Sequence, residues 1–277
     1  IDDGSKDDSV QVIEQSLQNC PFDCELIARE NRGLSATLNE GLAKTDGDYF
    51  AYLGSDDIWL PEFLANRIQL LDSRPDAVLA FGHSFLINEH QQIIDCTKSW
   101  TSYSDGNMLP LLLKGIIPLS PSVVYRRKPL EKYGWNEKSI LEDYELYLKL
   151  CKDGEFALDT NVLCAWRQHG WNVSKDFSRM LQEWVEAQNR VAEQLGISAE
   201  ELAEIQSELK FNSATDLIRI GQKKEAIRLI LENIKYANSA STVSKMLLRL
   251  IIPTRLFQWN RNKKFSDSIK KFGKLEV

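Results

Sequence analysis

Histidine is almost missing from this chain, three in 277 residues, and His83, His90 and His169 stand far apart. A histidine-rich metal cluster is therefore not expected. Cysteine is sparse too: the five, at 20, 24, 96, 151 and 164, are odd in number and include no Cys-x-x-Cys. That excludes a disulfide scaffold, and Cys20 with Cys24 cannot alone make a four-ligand zinc site, so reduced thiols are the expectation. No run of eighteen apolar residues and no charged-then-apolar leader occurs, so neither a spanning helix nor a signal peptide is expected, and the sequon Asn172-Val173-Ser174 reads as accidental. Positive charge is in deficit, 34 Lys and Arg against 40 Asp and Glu, for a net −6; a dedicated nucleic-acid binder needs the opposite. Several signatures are also lacking. Residues 41–45 end like a phosphate loop, but Leu38 and Ala43 stand where glycines belong, and there is no Gly-x-Ser-x-Gly or His-Glu-x-x-His.

The remaining balance, 43% hydrophobic and 27% charged, is that of a globular chain, and the length allows one large domain with a smaller appendage. Strand and helix alternate along the first part. Residues 10–17 have helical spacing and 24–29 read as a short buried strand. Leu34, Leu38 and Leu42 predict a helix from 33 to 44, ended by the Asp46-Gly47 turn, before an aromatic-rich strand at 49–53. Pro61 opens a helix running to Leu71, and 77–87 returns as one long apolar strand. After a mixed stretch punctuated by Pro110, Pro118 and Pro121, a strand at 122–125, a helix at 143–152 and a last strand within 156–166 complete the pattern. This order predicts an α/β fold with a mostly parallel sheet flanked by helices. From residue 171 onward helical periodicity takes over, in 180–195, 199–221 and 223–237. Ser198 and Glu201 form a capping box, and the pair meeting at Gly221 resembles a tetratricopeptide-like hairpin. Residues 245–277 hold nine Lys and Arg against Asp267 and Glu276, beside the apolar block 246–253. Such a tail can lie on an anionic membrane surface, or can be the solvated face of a packed helix.

Acidic residues fall at the ends of successive strands: Ile1-Asp2-Asp3-Gly4-Ser5 reads as a strand end entering a turn, and Asp56-Asp57 follows the strand at 49–53. In an open α/β sheet ligands bind at the carboxyl ends of strands, so four carboxylates would share one rim and call for a compensating cation, such as a divalent metal on a diphosphate. Taken singly, either pair is equally well a turn or helix-cap motif. Glu142-Asp143 likewise reads as acids favoured at a helix N-terminus. Most of the seven tryptophans are expected in the core, with Trp100 or Trp135, both near loops, able instead to stack on a ligand.

At these residues the chain resembles a family-2 glycosyltransferase of the GT-A fold. The resemblance rests on Ile1-Asp2-Asp3-Gly4-Ser5, on Asn31-Arg32-Gly33-Leu34-Ser35, on Gly47-Asp48-Tyr49 leading to Ser55-Asp56-Asp57-Ile58-Trp59-Leu60-Pro61, on Gly134-Trp135 followed by Leu141-Glu142-Asp143-Tyr144-Glu145, and on Trp166-Arg167-Gln168-His169-Gly170. It covers about 1–170 in the family's order. It implies an N-terminally truncated glycosyltransferase domain at 1–170, whose first strand and helix lie before Ile1, and a C-terminal helical region at 171–277 with a basic tail.

The resemblance further implies that Asp2 and Asp3 hold the base and ribose of a nucleotide-sugar, with Arg29, Asn31 and Asp56 also on the nucleotide side. Asp57, with Asp56 and His169, would hold a divalent cation (Mg or Mn), and Asp143 would be the general base. The family commonly has Asp where Gly54 stands, a departure that bears on ribose contact and cation affinity. The implied activity is inverting, metal-assisted sugar transfer from a nucleotide-diphosphate donor to a glycan or lipid-linked acceptor. It would take place in the cytoplasm, or at the inner membrane face if the tail binds there. Two other readings stay open: a nucleotide-sugar binder without turnover, and a helical partner-docking module.

Overall fold

Leucines one turn apart make an amphipathic helix, and in the computed structural model, which describes residues 1–169, 176–237 and 239–275, Leu38 and Leu42 are buried while Leu34 stays half exposed. The elements in chain order are α1 (Ser9–Leu17), α2 (Leu34–Lys44), β1 (Tyr49–Phe50), β2 (Ile58–Trp59), α3 (Phe63–Ser73), β3 (Ala77–Gly82), β4 (Phe85–Ile87), β5 (Ile93–Cys96), α4 (Leu109–Leu112), β6 (Val124–Arg126), α5 (Arg127–Tyr133), α6 (Glu142–Leu150), β7 (Glu155–Asp159) and β8 (Cys164–Arg167). Helices follow: α7 (Phe177–Leu195), α8 (Ala199–Ile220), α9 (Lys223–Asn233), α10 (Ala240–Ile251) and α11 (Thr254–Phe272). The sequon at 172–174 and Trp171 lie outside the described residues.

The α/β architecture with flanking helices and a helical C-terminal region is as expected, but the strand pairing is mixed rather than mostly parallel. One sheet has the order β1-β6-β3-β7, in which only β3 and β7 run parallel; the other has the order β2-β8-β4-β5, in which only β4 and β8 do. Parallel neighbours need a long crossover, which α4 to α6 provide between β3 and β7. β6 instead enters from a connection that carries no strand, and lies antiparallel to both β1 and β3.

The stretch 77–87 is two strands, not one. At His83 and Ser84 the chain leaves the first sheet for the second, and the Thr97 hydroxyl holds the break, within 2.8 Å of the His83 Nδ1 and accepting from the Ser84 amide at 3.0 Å. Residues 156–166 divide in the same way, β7 following β3 and β8 following β4 across the gap. The expected buried strand at 24–29 reduces to one parallel bridge, Asp2 to Ala28, on a segment that is half to fully exposed. With the Asp2 backbone as its pairing neighbour, this edge buries little.

A single apolar cluster joins the sheet region to the helices behind it. Phe81, Tyr125 and Phe156 from the first sheet pack with Tyr144 and Tyr147 of α6 and continue into Leu181, Trp184, Leu209 and Phe211 of α7 and α8. Ser198 caps α8 as its sequence predicts, its hydroxyl accepting from the Glu201 amide at 3.2 Å, a contact of the kind that contributes about 1 kcal/mol. The five cysteines are unpaired.

Candidate active site

The acidic turn after β1 is built by short-range bonds and then pinned from a distance. The Asp57 amide donates to the Gly54 carbonyl at 3.0 Å, closing the turn that leads into β2. β2 pairs with β8 in the register Ile58 to Ala165, so the end of β8 falls beside Asp57. There the Arg167 amide donates to Asp57 Oδ1 at 2.9 Å, and the Arg167 Nε donates to the Asp56 carbonyl at 2.7 Å. His169 Nε2 lies 2.8 Å from Asp56 Oδ2. The turn is tight at Gly54: a Cβ there would stand 2.8 Å from Asp56 Oδ1, so the missing side chain leaves the space into which Asp56 folds.

Asp56 and Asp57 open onto a cleft of about 710 Å³, and Glu142 and Asp143, in the first turn of α6, line the same cleft. Tyr52 donates to Glu142 Oε1 at 3.4 Å from the cleft wall. Burial pushes Asp57 up to about 7, the Arg167 amide opposing this and the Asp56 charge adding to it. Burial, followed by repulsion from Glu142, pushes Asp143 well above the usual carboxylate range, and burial raises Glu142 as well. The cleft therefore concentrates carboxylates that the fold has desolvated. Such carboxylates are suited to taking a proton near neutral pH or to accepting a cation.

The other predicted site residues form a second cluster. The Asp2 carboxylate accepts the amides of Gly4 (3.1 Å) and Ser5 (2.9 Å), and the bonds from Ser5 and then Gly4 hold it below the usual range. Gly4 is required here: its φ is +91°, and a Cβ would lie 2.9 Å from the Asn31 nitrogen. Asp3 accepts the amides of Arg32 (2.9 Å) and Gly33 (2.8 Å) and pairs with the Arg29 guanidinium. Burial opposes the Asp3 charge, but those two amides and Arg29 outweigh it and lower its pKa. Arg29 also reaches Glu40 and Thr37, each at 2.9 Å, and the Asn31 side-chain Nδ2 donates to the Asp3 carbonyl at 2.9 Å. Asp2 and Asp3 do not line the cleft with the other two acids, because their oxygens are turned to their own backbone. Their cluster meets it at Leu34, next to Gly33.

Several lining residues were not singled out from sequence. Tyr52 sits on the wall in the segment between β1 and the acids, where the sequence alone predicts strand and the structure has none. Phe177, Met180 and Trp184 reach in from α7, with no local signal to announce it. Of the two loop tryptophans, Trp100 lines the cleft at 54% exposure, whereas Trp135 is 3% exposed against Phe50, Tyr52 and Tyr125, and so is core. Among the described residues no group of three His, Cys, Asp or Glu side chains converges as metal ligands. The donor set still fits a hard cation, which commonly takes one or two carboxylates and completes its shell with substrate phosphates. Asp57, desolvated and beside a second carboxylate, is suited to that.

Residues 1–134 match the family described as Glycosyl transferase family 2. The chain is 27% identical over 195 residues to an uncharacterised glycosyltransferase of Rickettsia prowazekii, spanning 66% of this chain and 58% of that one; it thus spans little more than half the length of that relative. Among solved structures it resembles the mannosyltransferase of Pyrobaculum calidifontis in complex with GDP-Man and Mn2+, at a TM-score of 0.56 and 14% identity over 98% of this chain and 75% of that one. It also resembles S. aureus TarS residues 1–349 in complex with UDP-GlcNAc, at 0.57 and 14% identity over 98% and 81%. These two likenesses bear on the fold.

Proposed function

We propose that this chain, whose residues 1–134 match glycosyl transferase family 2, is an inverting glycosyltransferase acting on a nucleotide-diphosphate sugar. The observation that carries this reading is that Asp57 and Asp143, distant in sequence, line one cleft with their charges destabilised by burial. Residues 1–170 form the catalytic unit, and the helical region at 171–277 contributes the cleft wall through Phe177, Met180 and Trp184. That the two similar solved structures hold GDP-Man and UDP-GlcNAc supports the donor class.

Asp143 is the base. Its raised pKa makes it a stronger proton acceptor than an exposed aspartate, so it can take the hydroxyl proton of the acceptor as the oxygen attacks the anomeric carbon. The bond from that carbon to the diphosphate oxygen breaks as the new one forms. With one base opposite the leaving group, direct displacement inverts the centre and needs no covalent enzyme intermediate. Asp57 and Asp56 would hold a divalent cation, Mg or Mn. That cation, when bound, stabilises the charge growing on the diphosphate as a Lewis acid. The Arg167 amide and His169 keep the two carboxylates in place. Asp2, Asp3, Arg29 and Asn31 make a pre-ordered platform for the nucleotide, and Trp100 offers its exposed face to the acceptor, a glycan or lipid-linked sugar.

The test is sugar transfer from a panel of UDP- and GDP-sugars with Mn2+ or Mg2+, with and without a chelator. Transfer that stops on chelation and in Asp143→Asn supports the reading. Donor binding with no transfer under any condition replaces it with a nucleotide-sugar binder, and full transfer by Asp143→Asn removes the base.

A further inference from the structure

Helices α10 and α11 bury very little of themselves. Met246 is the one buried side chain of α10, and α11 has none. The inward stripe of α10 is Val243, Met246 and Leu250, packed on the core. Its other face carries Leu247, Leu248 and Ile251 at 51, 63 and 79% exposure, a spacing that puts them side by side on a helix. Past the Ile252-Pro253 turn, Leu256 and Trp259 are 50 and 60% exposed. A run of large apolar side chains left in water marks an interaction surface.

The same segment is the basic part of an acidic chain. Residues 240–275 hold nine Lys and Arg against Asp267, a net +8 within a total of −6. Lys245, Arg249, Arg255 and Lys263 alternate with the exposed apolar residues, and the Lys263 ammonium lies 5.6 Å from the Trp259 ring centre. The segment is held to the sheet region at its far end. Lys264 donates to the buried Asp95 at 2.7 Å, and the Ile93 amide donates to the Gly273 carbonyl at 3.1 Å. The apolar edge is thus presented by an anchored pair of helices.

Two features select the occupant. A second copy docking face to face would set one +8 segment against another. An anionic lipid surface instead offers an acyl boundary for the apolar side chains and headgroups for the bases around them. We propose that α10 and α11 form an interfacial anchor. Leu247, Leu248, Ile251, Leu256 and Trp259 enter the boundary of an anionic bilayer, and Lys245, Arg249, Arg255 and Lys263 meet its headgroups. Among the described residues no helix is long and apolar enough to cross a membrane, so the attachment is peripheral. This inference is independent of sugar transfer, and its failure leaves that reading untouched.

The experiment is cosedimentation of the chain with vesicles of equal parts phosphatidylglycerol and phosphatidylcholine, against phosphatidylcholine alone, at low and high salt. The expected result is at least about tenfold stronger partitioning onto the anionic vesicles, weakened by salt. Leu248→Ser with Ile251→Ser, and separately Lys245→Glu with Arg255→Glu, should each lower it by about tenfold or more with melting temperature unchanged, as these side chains are exposed. Nitroxide-labelled lipid should quench tryptophan emission less in Trp259→Phe. Absence of binding, or equal binding to neutral and anionic vesicles, overturns the proposal. So does a concentration-dependent dimer abolished by Leu248→Ser with Ile251→Ser, which would make a second copy the occupant.

Discussion

Asp2 and Asp3 point their carboxylates at the protein itself, at the amides of Gly4, Ser5, Arg32 and Gly33 and at Arg29, while Asp56, Asp57 and Asp143 face a cleft. The first group is held below the ordinary aspartate range, and in the second Asp57 and Asp143 are pushed above it. The same side chain is thus held as an ion in a fixed position where backbone donors solvate it. Its charge is destabilised where the fold removes water and supplies fewer donors, which suits Asp57 and Asp143 to the proposed roles.

The largest effect that would break this contrast is on turnover. Asp143→Asn should lower the rate of sugar transfer by about 10²–10⁴, the usual contribution of a general base, without lowering the melting temperature, since it removes a destabilised charge beside Glu142. Initial rates and thermal melts on one preparation would check this; a large fall in melting temperature would make Asp143 a structural residue.

The two groups should also respond to pH with opposite sign. Asp57 binds its proton more tightly folded than unfolded, so between its ordinary value of 3.8 and about 7 the native state carries the extra proton and stability falls as pH rises. Asp57→Asn should flatten that slope in denaturant melts across the window, and should abolish any melting shift produced by Mn2+. Asp3, with its pKa lowered, contributes stability that is present above 3.8 and lost as pH falls through its folded value. Asp3→Ala should therefore flatten the acid limb. It should also cost about 1–3 kcal/mol at neutral pH, because it leaves the Arg32 and Gly33 amides without their acceptor. A common sign for the two variants would erase the distinction.

The smallest effect sharpens the boundary between the groups. In Gly54→Ala the new methyl crowds Asp56 Oδ1, the far end of a side chain that can swing. A stability change within about 1 kcal/mol is expected, with a few-fold change in Mn2+ affinity by calorimetry. Unchanged affinity would mean that Asp56 does not help to hold the cation.

Much of this was readable locally. The helices at α2, α6 and α8, the Ser198 cap and the position of each acid at a strand end or helix start follow from neighbours a few residues away. The break at His83-Ser84 was not readable, because 77–87 is apolar enough for one strand and what divides it is Thr97, from another loop. Trp100 and Trp135 both flank loops. Only packing against Phe50, Tyr52 and Tyr125 decides that Trp135 is core. The mixed sheets were hidden for the same reason: strand direction depends on the path of the connections, and the 97–123 connection has no periodicity from which to infer it.

By itself the amino-acid order determined where helices run, which positions are acidic, and that the positive charge gathers in the last forty or so residues of an acidic chain. These depend on spacing and composition, which the chain carries whether folded or not. Tertiary structure alone decided which acids face one cleft and which are bound by their own backbone. Desolvation is set by every atom within several ångströms, and most of those come from residues remote in the chain.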